Sequence, residues 1–315
     1  MIFTASFSTP VQKLTERLNN NHFYIKRDDL YPFSFGGNKA RKAVLFFQDF
    51  EKQKSDSIVT YGASSSNHCR IIANIAAAKG IPCYIISPIE SSFPTANKKM
   101  VDLFNATVIN CPVTEVNKTI NNKLEELKAK GLNPYFIQGG GHGNIGTQAY
   151  VNTYEEIKDW EYKTKIYFDY IFHTSGTGST QSGLIGGKNI HGDKKEIVGI
   201  SNARKNPYGS EVVLESVIDY LLNINKKPIS SKEVTFIDDY VLGGYGSYND
   251  EILITIKEIL KNDGIPLDAT YTGKAYWGMT EYIKKEKIKR KNILFIHTGG
   301  TPLFFDNLED FYDAR

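Results

Sequence analysis

Short apolar segments rich in β-branched residues alternate along the chain with longer segments of helical periodicity. The short segments predict strands at 23–26, 57–61, 83–87, 107–110, 135–138, 170–173, 197–201 and 293–297. Apolar positions three and four residues apart predict helices at 41–50, 68–79, 116–130, 146–158, 210–222 and 251–261. Strands and helices that alternate in this way predict an α/β protein whose sheets are mainly parallel.

Composition narrows the class of protein further. The chain has 315 residues, of which 41% are hydrophobic and 23% charged, so it is long enough for about two globular domains. Its 38 Lys and Arg residues face 35 Asp and Glu residues, a balance that argues against a nucleic-acid partner. No apolar run is long enough for a transmembrane helix, and the first residues lack the parts of a signal peptide. The sequence therefore predicts a cytoplasmic protein with no membrane partner.

The metal-binding and nucleophilic residues form no familiar pattern. The three cysteines form no CxxC pair, which argues against a disulfide scaffold or a thiolate zinc site. The six histidines are scattered, and both the HExxH helix and the GxSxG nucleophile turn are absent. We therefore expect structural roles for the histidines and no metal site.

Ligands of parallel α/β proteins bind beyond the carboxyl ends of the strands, so polar and glycine-rich loops are the candidate sites. The sequence Gly36-Gly37-Asn38-Lys39 opens a helix and places Lys39 on its first turn. The positive end of the helix dipole disfavours a second cation there, which lowers the pKa of the lysine. A larger fraction of free amine is what an imine-forming lysine requires. The alternative is a solvated lysine at a helix start.

Two further loops have the composition of anion sites. Three serines and Asn67 separate the strand at 57–61 from the next helix, and one of them would suffice as an N-cap. A row of hydroxyl and amide groups in that place suits a carboxylate. Small and hydroxyl residues at 175–183 leave backbone amides uncovered, as a phosphate cradle requires, although a flexible turn is the alternative. No Gly-Lys-Ser or Gly-Lys-Thr follows, so this is not a Walker A loop.

The fourth loop, at 139–146, matches GxGxxG from Gly141 and precedes a helix. A dinucleotide site also needs an acidic residue at the end of the next strand, and the acidic residues here lie within a helix. This pattern argues against a nicotinamide or flavin site.

In combination, these loops resemble those of the pyridoxal-phosphate enzymes of the tryptophan-synthase-β type, also called fold type II. Within that group the chain is most similar to the family of 1-aminocyclopropane-1-carboxylate (ACC) deaminases and D-cysteine desulfhydrases. The matching segments occur in family order, at 25–30, 35–42, 66–68, 177–183, 244–246, 271–274 and 297–300.

The resemblance implies an architecture. It implies two doubly wound α/β domains with mainly parallel sheets and with pyridoxal 5′-phosphate in the cleft between them. The smaller domain would be an insertion at 47–155, and the larger would combine 1–46 with 156–315. It also implies a homodimer that acts on a small amino acid.

The resemblance also implies a role for each matching residue. Lys39 would carry the cofactor covalently, and Asn67 would hydrogen-bond the 3′-oxygen of its ring. Ser66 would hold the substrate carboxylate and take part in proton transfer, while Tyr245 and Tyr271 would stand beside the substrate. The phosphate would be held by Lys42, Thr177, Gly178, Ser179 and Thr180.

The chain departs from the family pattern on the substrate side. Ser65 stands where the family usually has Gln, and Ser247-Tyr248-Asn249 stands where Pro-Asn follows the Gly-Tyr-Gly motif. His142 occupies a loop in which the family has small residues. The phosphate motifs show no such departures.

Two threonines bear on the reaction that the family resemblance implies. ACC deaminases have an acidic residue where this chain has Thr272, and a leucine where it has Thr298. A hydroxyl can hydrogen-bond an unprotonated pyridine nitrogen but supplies no counter-charge. We expect Thr298 nearest that nitrogen, with Thr272 as the alternative.

This difference favours β-elimination of the D-cysteine desulfhydrase type, which releases pyruvate, ammonia and sulfide. The alternatives are ACC deamination, β-replacement by an amino-acid synthase, and a non-catalytic protein that binds pyridoxal phosphate.

Overall fold

The computed structural model describes residues 7–91 and 94–313. It contains two separate sheets flanked by helices, and all strand pairs but one are parallel among these residues. The predicted α/β fold class is therefore confirmed. Each of the eight predicted strands is present within two residues of its expected ends.

The larger sheet has six strands in the order β1-β2-β10-β7-β8-β9. Its strands are β1 (Val11–Lys13), β2 (His22–Lys26), β7 (Tyr170–Ser175), β8 (Glu196–Ser201), β9 (Thr235–Ile237) and β10 (Asn292–Ile296). Only the edge pair β1 and β2 is antiparallel. The sequence analysis did not predict β1 and β9, because three residues are too few to show a strand period.

The smaller sheet has four parallel strands in the order β5-β4-β3-β6. Its strands are β3 (Ser57–Tyr61), β4 (Cys83–Pro88), β5 (Thr107–Cys111) and β6 (Pro134–Ile137). Its loops and those of the larger sheet bring the glycine-rich and hydroxyl-rich segments to the carboxyl ends of the strands, where α/β proteins bind ligands.

Eleven α-helices lie in the described part of the chain. They are α1 (Asn38–Lys52), α2 (Asn67–Lys79), α3 (Ala96–Leu103), α4 (Val116–Ala129), α5 (Asn144–Thr164), α6 (Ser179–His191), α7 (Tyr208–Asn223), α8 (Asp250–Asp263), α9 (Thr272–Lys285), α10 (Thr301–Asp306) and α11 (Asp310–Asp313). None of them is long and apolar enough to cross a membrane.

Both sheets are covered on their two faces, as parallel sheets usually are. On β10, Ile293 and Phe295 pack into one cluster of buried side chains, whereas Leu294 and Ile296 pack into another. On the smaller sheet, adjacent residues of β3 likewise enter two different clusters. Near-continuous apolar strands are the sequence consequence of this double burial, and they explain why the strand predictions succeeded.

The domain boundaries expected from the resemblance, at 46/47 and 155/156, stay a prediction. Both positions lie inside helices, the first in α1 and the second in α5. The apolar face of α1 packs into the core of the smaller sheet, whereas α5 packs mainly into that of the larger. Residues 1–6, 92–93 and 314–315, which those ranges include, lie outside the described residues.

Candidate active site

Lys39 is held in place by a turn that only glycine can form. Gly37 has φ +89, and an added Cβ would come within 2.6 Å of the Thr298 carbonyl oxygen. The Asn38 amide donates to the same oxygen at 2.9 Å. The start of α1 is therefore pressed against the turn that follows β10, and Lys39 faces the space between the two sheets.

The pKa of the Lys39 amine is lowered by its surroundings. Its Nζ donates to the Gly140 carbonyl at 3.0 Å. Burial lowers the pKa of Lys39 to about 8. The position of Lys39 on the first helical turn predicted such a shift from the helix dipole, whereas in the structure burial is the main cause. Either cause increases the free amine available for bonding to a carbonyl carbon.

Lys42 lies one turn further along α1 and meets the predicted phosphate loop. Its Nζ donates to Ser179 Oγ at 2.7 Å, and burial together with nearby Lys39 lowers its pKa well below the ordinary value. Asn38 Nδ2 donates to Thr180 Oγ1 at 3.0 Å. Two residues of the cradle thus contact two polar residues of α1.

The cradle itself leads into the N-terminus of α6. Gly178 is the N-cap residue and has φ +101, so a side chain there would strain the backbone. Thr177 and Gly178 line the same cavity as Lys39, whereas Ser179 is fully buried behind them. Uncovered backbone amides at a helix N-terminus favour an anion.

The serine loop has a partly structural role. Ser66 is the N-cap residue of α2, and its Oγ accepts the Cys69 amide at 3.2 Å. Ser64 Oγ donates to the Ser91 carbonyl at 2.8 Å. The Ser66 hydroxyl also has a hydrogen-bond contact with the Cys69 thiol. A hydroxyl that accepts at the N-cap can still turn its hydrogen towards a ligand, so the N-cap and carboxylate interpretations are compatible.

Asn67 is oriented by a residue that sequence reasoning did not identify. Asn97 Nδ2, on α3, donates to Asn67 Oδ1 at 3.0 Å and to the Ser65 carbonyl at 2.7 Å. With its oxygen engaged in this way, Asn67 presents its NH₂ group to the cavity. Asn97 follows Asn67 by 30 residues, and nothing in its local pattern indicates the contact.

The two predicted tyrosines form a short hydroxyl chain. Ser65 Oγ lies 3.1 Å from Tyr245 OH, which lies 2.5 Å from Tyr271 OH. Burial and the neighbouring Tyr245 raise the pKa of Tyr271 well above its ordinary value. Both phenols therefore stay protonated at neutral pH and can donate hydrogen bonds.

Thr298 and Thr272 occupy different surroundings. Thr298 lines the cavity that also contains Lys39 and Thr177. Thr272 is fully buried, and its Oγ1 donates to Asp268 Oδ1 at 2.8 Å. Asp268 also accepts the amides of Thr270, Tyr271 and Thr272, an arrangement typical of a helix N-terminus.

Asp268 was not identified from the sequence, because it lies four residues before the first residue of α9 and not at the N-cap position, which Tyr271 occupies. Burial raises the pKa of its carboxyl group. It lines neither of the cavities around Lys39.

Two adjoining cavities share Lys39, Asn67, Gly176, Thr177 and Tyr271. One of them also contains Gly178, Thr180 and Thr298. The other has a volume of about 490 Å³ and contains Ser66, Tyr245, His142 and Arg204. Of the predicted site residues, Lys42 and Ser179 lie just behind these walls and the other nine line them. No group of metal-binding side chains occurs among the described residues.

The residues present fit a phosphorylated aldehyde. A lysine with a lowered pKa faces the space in which an aldehyde carbon would lie, and a second lysine contacts the anion loop. An added Cβ at Gly140 would come within 3.3 Å of Lys39 Nζ and within 3.0 Å of the Thr177 hydroxyl, so glycine keeps this space open. Amine, hydroxyl and amide donors are the set that pyridoxal phosphate requires.

Comparison with known proteins agrees with this geometry. The family model described as pyridoxal-phosphate dependent enzyme matches residues 2–299. A protein of Serratia proteamaculans named D-cysteine desulfhydrase is 32% identical, over 95% of this chain and 93% of its own. One of the same name from Yersinia enterocolitica is 33% identical over the same shares. A crystal structure described as an ACC deaminase homologue has a TM-score of 0.90 at 28% identity, over 98% of this chain and 94% of its own.

Proposed function

Since the chain belongs to the family of pyridoxal-phosphate-dependent enzymes, we propose that it is a lyase of the D-cysteine desulfhydrase type. Its cofactor is pyridoxal 5′-phosphate, as the motifs predicted. Two relatives with that name, at 32% and 33% identity over 95% of the chain, support the proposal. The observation that carries it is that, among the described residues, neither cavity around Lys39 is lined by a carboxylate.

The proposed reaction removes ammonia and sulfide from cysteine. A proton leaves Cα, the Cβ–S bond breaks, and its electron pair departs with sulfur as hydrosulfide. Water converts the remaining enamine to pyruvate and ammonia. When bound, the cofactor supplies an electron-withdrawing system that stabilises negative charge at Cα.

The protein's own side chains move the proton and bind the substrate and the cofactor phosphate in the proposed reaction. Lys39, with its pKa lowered to about 8, is the base positioned to hold or move the Cα proton. Ser66 and the start of α2 bind the substrate carboxylate. Tyr245 and Tyr271 provide hydroxyl donors beside the departing sulfur. Lys42 and the loop at 177–180 hold the phosphate.

Thr298 is the residue that favours elimination over ring opening. It lines the cavity with Lys39, whereas Thr272 is engaged by Asp268. With only a hydroxyl beside it, the pyridine nitrogen of the cofactor would stay unprotonated, because nothing would offset the free energy of a buried positive charge. Negative charge at Cα is then less delocalised and expels a β-leaving group readily.

ACC deamination is the second candidate. The TM-score of 0.90 to an ACC deaminase homologue supports it, at 28% identity over 98% of the chain. Opening a cyclopropane expels carbon rather than a stable anion, so it depends more on a protonated pyridine. The Asp268 carboxylate lies behind Thr272 and outside the cavity lining, which weighs against this candidate.

A panel of substrates tests the proposed function. We expect kcat/KM for pyruvate release from D-cysteine and β-chloro-D-alanine to exceed that from ACC, because kcat/KM reports stabilisation of the transition state. L-Cysteine serves to determine the chirality. A preference for ACC would establish the second candidate. A new amino acid formed from added thiol faster than pyruvate would indicate β-replacement, and no turnover would indicate a non-catalytic protein.

Ser66→Ala tests the role of the serine loop. We expect cofactor retention to persist and kcat/KM to fall, because the variant loses a donor to the substrate carboxylate. It also loses an N-cap, which stabilises a helix by about 1 kcal/mol. Asn249→Ala is the matched control, because Asn249 caps α8 by accepting the Ile252 amide. Full turnover together with loss of cofactor in Ser66→Ala would contradict the proposed role.

Three further predictions remain proposals: the location follows from the sequence pattern, and the dimer and the domain boundaries from the family resemblance. We propose that the protein is a cytoplasmic homodimer and that its two domains divide at 46/47 and 155/156. Sedimentation of the holoenzyme tests the dimer, because the chain mass of 35.5 kDa separates one copy clearly from two.

A further inference from the structure

His142, Asn202 and Arg204 form a cluster, hereafter the distal cluster, on the wall of the 490 Å³ cavity that also contains Ser66 and Tyr245. Each of the three has a buried polar atom without a hydrogen-bond partner: His142 Nδ1, Asn202 Oδ1 and Arg204 Nη1. Buried polar atoms nearly always have partners, and leaving one unpaired costs about 1–3 kcal/mol. Three such atoms on one cavity wall indicate a missing ligand.

Hydrogen bonds and a ring contact hold Asn202 and Arg204 of the distal cluster in place. Asn202 is 3% exposed, and its backbone N–H donates to the Ser175 carbonyl at 3.2 Å. Ser201 Oγ donates to the Arg204 carbonyl at 2.6 Å and accepts the Ala203 amide at 3.2 Å, which fixes the turn after β8. The Arg204 guanidinium stacks over the Tyr208 ring, 5.3 Å from its centroid.

The charge of this cavity favours an anion. Arg204 and Lys39 are the cations in its lining, and no Asp or Glu of the described chain joins them. No carboxylate within the described residues forms an ion pair with Arg204, whereas buried or interfacial arginines normally have such a partner. Burial, Lys42 and Arg204 lower the pKa of His142, whereas a hydrogen bond with the Thr177 backbone acts in the opposite direction. The single N–H of the neutral ring serves that hydrogen bond, so Arg204 is the member of the cluster that favours an anion.

The distal cluster lies outside the cavity that would hold the cofactor phosphate. The adjoining cavity, which contains Gly178, Thr180 and Thr298, is not lined by any member of the distal cluster. Lys42 and the N-terminus of α6 are the groups that would hold that phosphate. The distal cluster shares its cavity instead with Ser66 and Tyr245, the residues proposed to bind the substrate.

We propose that the distal cluster recognises an anionic group at the far end of the substrate side chain, so that the substrate class is β-substituted amino acids with an acidic substituent. This deepens the proposed function and rests on it. Arg204 supplies the charge and a free donor, because its buried Nη1 has no partner. The Asn202 side chain can present its NH₂ group to the ligand if it rotates by 180° about the Cβ–Cγ bond. This rotation exchanges Oδ1 and Nδ2, which are nearly equal in size.

The reaction remains the elimination described above. With S-carboxymethylcysteine, the Cα proton leaves, the Cβ–S bond breaks, and its electron pair departs with the sulfur of mercaptoacetate. Water then gives pyruvate and ammonia. The carboxylate of the departing group is the part that the distal cluster would hold.

A pair of substrates of nearly equal size isolates the charge. S-Carboxymethylcysteine and S-carbamoylmethylcysteine differ by one negative charge, and each is tested with the holoenzyme by pyruvate release in the enantiomer that is turned over. We expect kcat/KM to favour the carboxymethyl compound by roughly 10- to 100-fold, as hydrogen bonds to a charged group allow. The ratio should fall to near one in Arg204→Met and recover in Arg204→Lys. Lys205→Met, which removes the neighbouring exposed cation, should keep the original ratio.

Calorimetric titration of the two compounds into holoenzyme gives the same ratio as dissociation constants, whether or not pyruvate forms. No pyruvate from β-chloroalanine would overturn the proposed function, while a charge preference in binding that depends on Arg204 would still uphold the distal cluster. A ratio near one between the carboxymethyl and carbamoylmethyl compounds in the unaltered protein would overturn the role proposed for the distal cluster. So would an Arg204→Met variant that loses bound cofactor but keeps the charge preference, since that result would assign Arg204 to the phosphate. Arg204→Gln, expected to reduce the ratio to near one, provides a second variant if Arg204→Met does not fold.

Discussion

Replacing Lys39 with alanine should lower kcat for pyruvate release by about 10³-fold or more, within the range seen when a positioned acid or base is removed. The proposed role combines covalent attachment of the cofactor with transfer of the Cα proton, and alanine can do neither. The fold should persist, because the Lys39 side chain makes a single hydrogen bond, to the Gly140 carbonyl. Unfolding monitored by circular dichroism would verify this.

Two measurements separate the role of Lys39 from a general effect of charge. Borohydride treatment of the unaltered holoenzyme should leave a phosphopyridoxyl group on the peptide that contains Lys39, as mass spectrometry would show. Lys52→Ala removes an exposed lysine in the last turn of the same helix and should retain full activity. Labelling of a different lysine, or turnover by Lys39→Ala at the rate of the unaltered enzyme, would refute the assignment.

The fold could be predicted largely because burial on both faces makes the strands of a parallel sheet apolar throughout. Segments such as 57–61 and 293–297 combine apolar, β-branched residues with polar loops on either side. The short edge strands β1 and β9 carried no such signal, since three residues on a sheet edge need no continuous burial. The assignment of domain boundaries depended on the family resemblance and had no local signal.

The candidate site could be predicted where consecutive residues carry the chemistry. Loops such as 36–39 and 175–183 show their glycines and hydroxyls directly in the sequence. Contacts between distant segments left no such trace: Asn97 orients Asn67 across 30 residues, and Arg204 reaches the cavity from the end of β8. His142 was noticed only because it departs from the family pattern. The sequence thus indicated the cofactor loops well and the substrate wall poorly.

The buried charges beneath Lys39 lead to the largest expected effect on stability. Asp28 is fully buried and accepts from Arg41 Nη2 at 2.9 Å and from Tyr150 OH at 2.7 Å. The Glu156 carboxylate accepts hydrogen bonds from Lys26 Nζ and from Arg41 Nη1, each at 2.6 Å. The network therefore joins β2, α1 and α5. The carbonyl oxygen of Asp28 also accepts the Gly37 amide at 2.6 Å, which ties the network to the turn that positions Lys39.

Asp28→Asn should lower the free energy of unfolding by about 3–5 kcal/mol, because Lys26 and Arg41 would then share the Glu156 carboxylate alone and one buried positive charge would lack a partner. Asp102→Ala, which breaks the exposed pair between Lys98 and Asp102, should change it by about 1 kcal/mol at most. Denaturant titration of the holoenzyme would measure both values. Equal effects of the two substitutions would show that the Asp28 network does not hold the fold together.

The pH dependence of this difference provides an independent test. Burial alone would raise the pKa of Asp28, but Arg41 and Lys26 outweigh it and hold the pKa below the ordinary value of 3.8. Folding therefore favours the ionised carboxylate. Its contribution is fully present above the ordinary pKa and is lost as the pH falls through the lower pKa of the folded state. The stability difference between the unaltered protein and Asp28→Asn should accordingly be constant near neutral pH and shrink only below about 3.8. A difference that already disappeared on the alkaline side of that value would mean that the Asp28 carboxyl group is protonated in the folded protein and that Arg41 does not control it.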